Sequence, residues 1–456
     1  MTNYHLAIDI GASSGRHILG HLEDGRLITE EVYRFDNGFS DVGGSLVWNI
    51  DTLEREVKAG IKKCGEIGKI PQTVAIDTWG CDYVLLDRSL STLYPVFSYR
   101  DGRTEASYSV ADKLVPRRDM FLRTGIQTQK FNTVYQLFAD KISGKLSKAA
   151  FFLMIPDYLS FKLTGEIKNE YTNATTTNLV NSLSREWDSD IINELGLEGK
   201  LFGELSLPGE TIGCFTDEMK KYCGFDSKVV FCPSHDTASA VAACPVEQDS
   251  AYISSGTWSL FGIESKVPIL NFRAFEHNFT NEGGIEYRYR VLKNYMGMWL
   301  FQSIRRDLGK KYTYDEMMEM AMASDDFDFI DVNDPAFVSP HSMIDAIKNY
   351  VGRDMTLGSV ILSAYRSLAK SYADAVRETQ DITGRPIRKL HIVGGGCRDA
   401  YLNKLTSEVT SLPVTKGPIE ATSTGNIMSQ LIASGELRDL DEAREVIKRS
   451  FSIREV

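Results

Sequence analysis

Two aspartates and three glycine-rich turns carry the chemistry legible in this chain. Asp236 follows the apolar run Val229–Pro233 and opens the helical stretch HDTASAVAAC, with His235 before it and Thr237 after it. The side chains Ala238, Ser239, Ala240, Ala242 and Ala243 are so small that this helix must pack closely. A carboxylate at such a helix start serves either as an N-cap, worth about 1 kcal/mol, or as a proton acceptor facing a cleft. Ser234 is a second capping candidate and would free Asp236 for the other role. Asp77 ends the run VAIDTWG and opens a Trp-Gly turn. That shape suits a sugar, with Trp79 as an aromatic wall and the backbone close at Gly80, although Trp79 fits a plain core equally well.

The turns point to phosphate. LAIDIGASSGRHILG (6–20) and AYISSGTWSLFGIE (251–264) each read as strand, tight polar turn, strand. Glycines 11, 15 and 256 are expected to take positive φ and aim several N–H groups at one point, making an anion-binding nest. Ser13, Ser14, Ser255 and Thr257 add hydroxyl donors. Either turn alone reads as an ordinary hairpin; the pair suggests a duplicated architecture closing on a polyphosphate. A third loop, KLHIVGGGCRDAYLNKL (389–405), reads as a strand-to-helix turn whose helix N-terminus favours a phosphate. It is not G-x-G-x-x-G, since Asp399 takes the last glycine position, and no P-loop motif occurs. Together the three loops imply a nucleotide bound between two domains. Asp9, just before GASSG, is then placed to hold the Mg²⁺ that accompanies it.

The remaining sequence sets bounds. At 456 residues the chain exceeds one core, and the strand–turn–strand theme restarting near 250 predicts domains 1–245 and 246–456. A formal net charge of −11 argues against nucleic acid or an anionic membrane as partner. No apolar stretch approaches the roughly 18 residues a membrane span needs, and MTNYHLAIDI has no basic leader; both fit a cytoplasmic protein. Seven cysteines without C-x-x-C fit free thiols rather than a metal site, and whether any of them pair as disulfides is left open. Strands are predicted at 4–10, 16–22, 27–34, 73–77 and 83–87, and helices near 51–67, 356–382 and 424–435.

The motifs DIGASSGR, DTWGCDYVLLD, MIPDYLSFKLTGE, EYTNATTT, SHDTASAV, YISSGTWSL, TNEGG, VLKNYMGMWL, HIVGGG and EATSTGNI resemble the FGGY carbohydrate kinases of the sugar kinase/actin/Hsp70 superfamily. The resemblance runs from Ile8 to about Ser434. It implies an α/β fold of two RNase H-like, actin-like ATPase domains with a nucleotide and sugar cleft between them. The activity it implies is ATP-dependent phosphorylation of L-rhamnulose at its 1-hydroxyl, with another ketose such as L-fuculose as the alternative. Carried over by motif, Ala12, Ser13, Ser14, Gly15 and Arg16 contact ATP phosphates, and Thr257, Gln302 and Gly395 contact the nucleotide. Gly80, His235, Asp236, Thr237 and Asn294 contact the sugar, with Asp236 as proton acceptor. A carboxylate at a helix start has a low pKa and is a poor base, an objection eased by a loose transition state that needs only a late acceptor. Two other classes stay open: an actin- or Hsp70-like ATPase switch, which the DTWG and HDT motifs disfavour, and a sugar-responsive regulator, which would carry a DNA-binding helix pair before the first strand. Residues after 436 are assigned nothing, and oligomeric state is left open.

Overall fold

The computed structural model describes residues 2–451 and 453–455. The chain packs as two compact units: Met1–Pro245 with Ser265–Val291 and Ala421–Ser450, and Val246–Glu264 with Leu292–Glu420 and Phe451–Val456. The expected division was a single cut at 245; the packing instead returns two later segments to the first unit. The reason lies in the helix Ala421–Ala433. Its Gln430 side chain donates to Leu6 O at 3.0 Å, and Asn426 donates to Ala75 O at 3.3 Å. Gly425 passes so close to the helix Asp236–Ala242 that a Cβ there would stand 1.8 Å from Ser239 O. The small-sided helix expected from HDTASAVAAC thus packs as tightly as its composition demands.

In the first unit, β1 (Tyr4–Ile10), β2 (Ser14–Glu23), β3 (Arg26–Asp36), β4 (Pro71–Thr78), β5 (Thr211–Cys214) and β6 (Lys228–Val230) form one sheet in the order β5-β6-β4-β1-β2-β3. β1 pairs antiparallel with β2 and parallel with β4. It is buried from His5 to Ile10, because helices cover both faces. Leu6, Ile8 and Ile10 meet Leu53, Val57 and Ile61 of the helix Ile50–Glu66. His5 is tolerated among them because Nδ1 meets Thr73 Oγ1 at 2.7 Å and Nε2 meets Glu436 Oε1 at 2.8 Å. A hairpin, Phe39–Val42 with Ser45–Trp48, and the helix Leu440–Ser450 were not anticipated from sequence.

The second unit repeats the plan. β7 (Ser250–Ser255) pairs antiparallel with β8 (Trp258–Ser265) and parallel with β9 (Lys389–Val393), which pairs parallel with β10 (Val414–Lys416). The helix Leu357–Thr383 starts on the Thr356 side chain, which accepts from Ser359 N, and stops at Gly384 with φ 67°. Its Val360, Ile361 and Leu368 pack with Ile253, Phe261, Leu390 and Ile392.

Positive φ was expected at Gly11, Gly15 and Gly256, and none of them adopts it. The turns close differently, by Gly11 N donating to Ser14 O at 2.9 Å and Gly256 N donating to Trp258 O at 2.8 Å. Gly15 is glycine for another reason: a Cβ there would sit 2.1 Å from the Phe35 ring. Among the described residues no helix is long and apolar enough to cross a membrane. No disulfide joins the seven cysteines among the described residues.

Candidate active site

Parallel pairing fixes Asp9 opposite Asp77 at the ends of β1 and β4. Thr78 N in turn donates to Ser234 O at 2.9 Å, which brings the start of the helix Asp236–Ala242 to the same end of the sheet. Three carboxylates therefore gather where strands end. Asp9 Oδ2 receives Nε and Nη2 of Arg16, both at 3.0 Å, and Ser423 Oγ at 3.2 Å. Asp77 is fully buried; Asn426 Nδ2 donates to its Oδ2 at 2.5 Å, and Oδ1 has no partner among the described residues. Burial first, then the charge of Asp9, push the Asp77 carboxyl well above the usual carboxylate range.

Asp236 is the first helical residue and does not cap its helix. His235 holds the N-cap position without a capping side-chain bond. Asp236 Oδ1 accepts from the amide and the hydroxyl of the adjacent Thr237, at 2.6 and 3.1 Å. Ser234 does not cap either, because its hydroxyl goes to Glu170 Oε2 at 2.6 Å. The Asp236 side chain keeps about 31% of its surface exposed. Burial raises its pKa, and Asp9 adds to the rise against the lowering by His235. The objection that a helix-start aspartate is too acidic to accept a proton is thereby weakened.

The segment EYTNATTT, with the short helix Tyr171–Thr175 capped by Glu170, ties these strands together. Buried Glu170 accepts from the amides of Thr172, Asn173 and Ser234 and from the hydroxyls of Thr172 and Ser234. Asn173 Nδ2 donates to Ser234 O at 3.1 Å and Trp79 O at 3.4 Å. Gly80 lies against Thr176, where a Cβ would come within 2.9 Å, so packing within the protein already calls for glycine there. Of the two readings of Trp79, the structure supports core. Trp79 is buried against Trp48, with centroids 4.2 Å apart, and its Nε1 donates to Asp82. Sequence reading passed over Glu170 and Asn173 as ligating groups; an acid opening a run of Thr and Asn was the available signal.

His235 leans on a buried ion pair. Its Nε2 lies 3.4 Å from Asp236 Oδ1, and its Nδ1 lies 3.1 Å from Arg290 Nη2 and 3.3 Å from Glu282 Oε2. Neither Arg290 nor Glu282 stood out as a site residue from sequence.

The phosphate candidates fall in both units. In the first, Ala12 and Ser13 lie in the β1–β2 turn, Ser14, Gly15 and Arg16 open β2, and the amides of Ala12 and Ser13 have no hydrogen bond among the described residues. In the second, Thr257 forms the β7–β8 turn, and its carbonyl accepts from Gly297 and Trp299, which start the helix bearing Gln302. Gly394 takes φ 85°, and Gly395 faces open space; Gly396 abuts Ser255, where a Cβ would be 2.0 Å from Oγ. The helix after this loop does not offer its N-terminus to a phosphate, because Asp399 caps it by accepting from Leu402 N at 2.9 Å. Asn294 lies on the strand Tyr289–Met296 in the second unit, whereas Gly80, His235, Asp236 and Thr237 lie in the first.

Among solved structures the chain is similar to xylulose kinase from Lactobacillus acidophilus, with TM-score 0.83 and 14% identity over 100% of this chain and 93% of that one. It is likewise similar to Plasmodium falciparum glycerol kinase with ADP, with TM-score 0.80 and 14% identity over 99% and 94%. At that identity the likeness is one of fold: the two-domain α/β, actin-like fold of sugar kinases. Residues 4–243 match the N-terminal domain, and residues 251–434 the C-terminal domain, of the FGGY family of carbohydrate kinases. The chain belongs to that family. Curated relatives include rhamnulokinases of Halalkalibacterium halodurans, 43% identical over 99% of this chain and 98% of that protein, and of Bacillus subtilis, 41% identical over 99% and 94%.

Proposed function

We propose that this enzyme transfers the γ-phosphate of ATP to the 1-hydroxyl of L-rhamnulose, giving L-rhamnulose 1-phosphate and ADP. The observation that carries the reading is Asp236: partly exposed, raised in pKa, and set between His235 and Thr237 at the sheet end that also bears the β1–β2 turn. Full-length relatives named for rhamnulose support the choice of ketose.

Phosphoryl transfer is mostly positioning and charge stabilisation. Gly80, His235 and Thr237 hold the ketose so that its 1-hydroxyl faces Asp236. Asn294 is assigned to the sugar, and Thr257, Gln302 and Gly395 to the nucleotide. The amides of Ala12 and Ser13 and the Arg16 guanidinium stabilise charge on the transferring oxygens. Asp236 takes the hydroxyl proton late in the attack. The Asp9 carboxylate and the orphaned Asp77 Oδ1 are oxygen donors of the kind a divalent cation takes. No three potential ligand side chains among the described residues converge to hold a metal by themselves. Asp9 would therefore hold Mg²⁺ together with water and nucleotide phosphates, as this ion prefers. When bound, the ion supplies neutralisation of phosphate charge. We read the enzyme as cytoplasmic, with no nucleic-acid or membrane partner.

A coupled assay with Mg-ATP across a panel of ketoses tests the proposal. L-Rhamnulose should give the highest kcat/KM, with glycerol and D-xylulose far behind, and ATP turnover without sugar should be slow. A preference for L-fuculose would overturn the substrate and keep the kinase; equal ATP turnover with and without ketose would overturn the kinase in favour of an ATPase switch.

A further inference from the structure

The proposed chemistry leaves one buried pair unused. Arg290 and Glu282 have side chains only 1% and 9% exposed, and they meet at 3.1 Å from Nη2 to Oε2. Arg290 Nε donates to Gly283 O at 3.0 Å, which fixes the plane of the guanidinium. Its Nη2 carries two hydrogens and has two neighbours, Glu282 Oε2 and His235 Nδ1, each 3.1 Å away. A guanidinium only donates and does not lose its proton in proteins. A ring nitrogen facing it at hydrogen-bond distance is therefore the acceptor, without a proton of its own. In a neutral imidazole the proton then sits on the other nitrogen. That nitrogen, Nε2, is the one 3.4 Å from Asp236 Oδ1. Glu282 is the counter-ion that lets the guanidinium stay buried; its Oε2 also lies 3.3 Å from Nδ1 but makes no hydrogen bond there, which leaves Arg290 as the hydrogen-bond partner of that nitrogen among the described residues.

We infer that Arg290, with Glu282 as counter-ion, is a positioning residue that locks His235 as its Nε2–H tautomer, so that the ring presents a fixed, neutral donor beside Asp236. A donor aimed there selects a ligand oxygen able to accept, such as a ketose hydroxyl or carbonyl, and leaves Asp236 its negative charge. The ketose rests on the kinase reading above; the tautomer does not.

Nitrogen NMR of the histidine-labelled parent protein reads the ring directly, with the His235 signals assigned by their loss in His235→Asn. The expected pattern is a neutral ring with the proton on Nε2 and a bare Nδ1. A proton on Nδ1, or a charged ring at neutral pH, overturns the inference. The double variant Arg290→Met, Glu282→Leu removes both charges and strands neither. It should mix the tautomers and raise KM for the ketose about tenfold, the scale of one weakened hydrogen bond, with KM for ATP unchanged. A folded double variant with the parental ring pattern and ketose KM also overturns the inference. Should it not fold, the parent spectrum decides alone. If L-rhamnulose is not the substrate, the parent shows no activity on it while the ring spectrum keeps its answer, so the two failures are distinguishable.

Discussion

The two glycine turns share a backbone plan and differ in what stands at their strand ends. Two residues before Gly11 is Asp9, paired in register with Asp77; two residues before Gly256 is Ser254, paired with Val393. Each turn follows a central strand that runs parallel to one neighbour and antiparallel to the next. The first is therefore an acidic copy and the second a neutral one. A polyphosphate is repelled by buried carboxylates unless something cancels them, and it meets no such charge beside Thr257. Under the proposed function one repeated fold divides its labour: the neutral copy suits steady nucleotide binding, and the acidic copy suits the step in which charge and protons move.

The largest expected effect tests the acidic copy. Asp236→Asn keeps the shape and the Thr237 contact, so melting should be unchanged while kcat falls roughly 10²- to 10⁴-fold, the range for a positioned acid–base group. Single-turnover kinetics within about tenfold of the parent would refute the assigned role.

Next comes pH. His17, on β2, is fully buried with Nε2 3.1 Å from Val57 O, and burial lowers its pKa from 6.5 to about 4. Between those values the unfolded chain binds the proton and the folded chain does not, so stability falls as pH drops from 6.5 toward 4 and this loss then levels off. Urea unfolding at pH 7 and 4.5 should show the parent losing about 2–3 kcal/mol from this source. His17→Gln should lose correspondingly less; equal losses in both would remove His17 as the cause.

Glycine substitutions separate the turns by packing. Gly15→Ala drives a methyl into the Phe35 ring and should destabilise by about 1–3 kcal/mol. Gly256→Ala meets nothing nearer than Trp258 O at 3.6 Å and should stay within about 0.5 kcal/mol. Equal melting shifts would show that the turns are packed alike after all.

The smallest effect makes the neutral copy acidic. Ser254→Asp should raise KM for ATP severalfold, consistent with a partly screened repulsion of about 1 kcal/mol, and leave KM for the ketose alone. An unchanged ATP KM would mean that the phosphates do not approach this strand end.

The hairpins, the helix at Asp236 and the strand ends bearing Asp9 and Asp77 were legible because apolar runs broken by Gly, Ser and Asp mark such boundaries locally. The reason for Gly15 was not, since Phe35 reaches it only through the β2–β3 register. Trp79 could not be sorted between sugar wall and core without its neighbour Trp48. Glu170 reaches Ser234, and Glu282 and Arg290 reach His235, across about 45 to 65 residues, separations at which no periodicity speaks. The return of the helix Ala421–Ala433 to the first sheet is likewise invisible in a local pattern, because its buried polar groups find partners in β1 and β4.

That returning helix sets a timetable for biogenesis. The strands of the first sheet leave the ribosome early, but the layer that covers Gly20 and carries Gln430 arrives only when synthesis has passed residue 433. At ~5–20 residues per second the uncovered face waits on the order of ten seconds or more. During that interval the nascent N-terminal half is an unfinished surface, open to chaperones and to self-association, and a ribosome that stalls before Ala421 leaves it so.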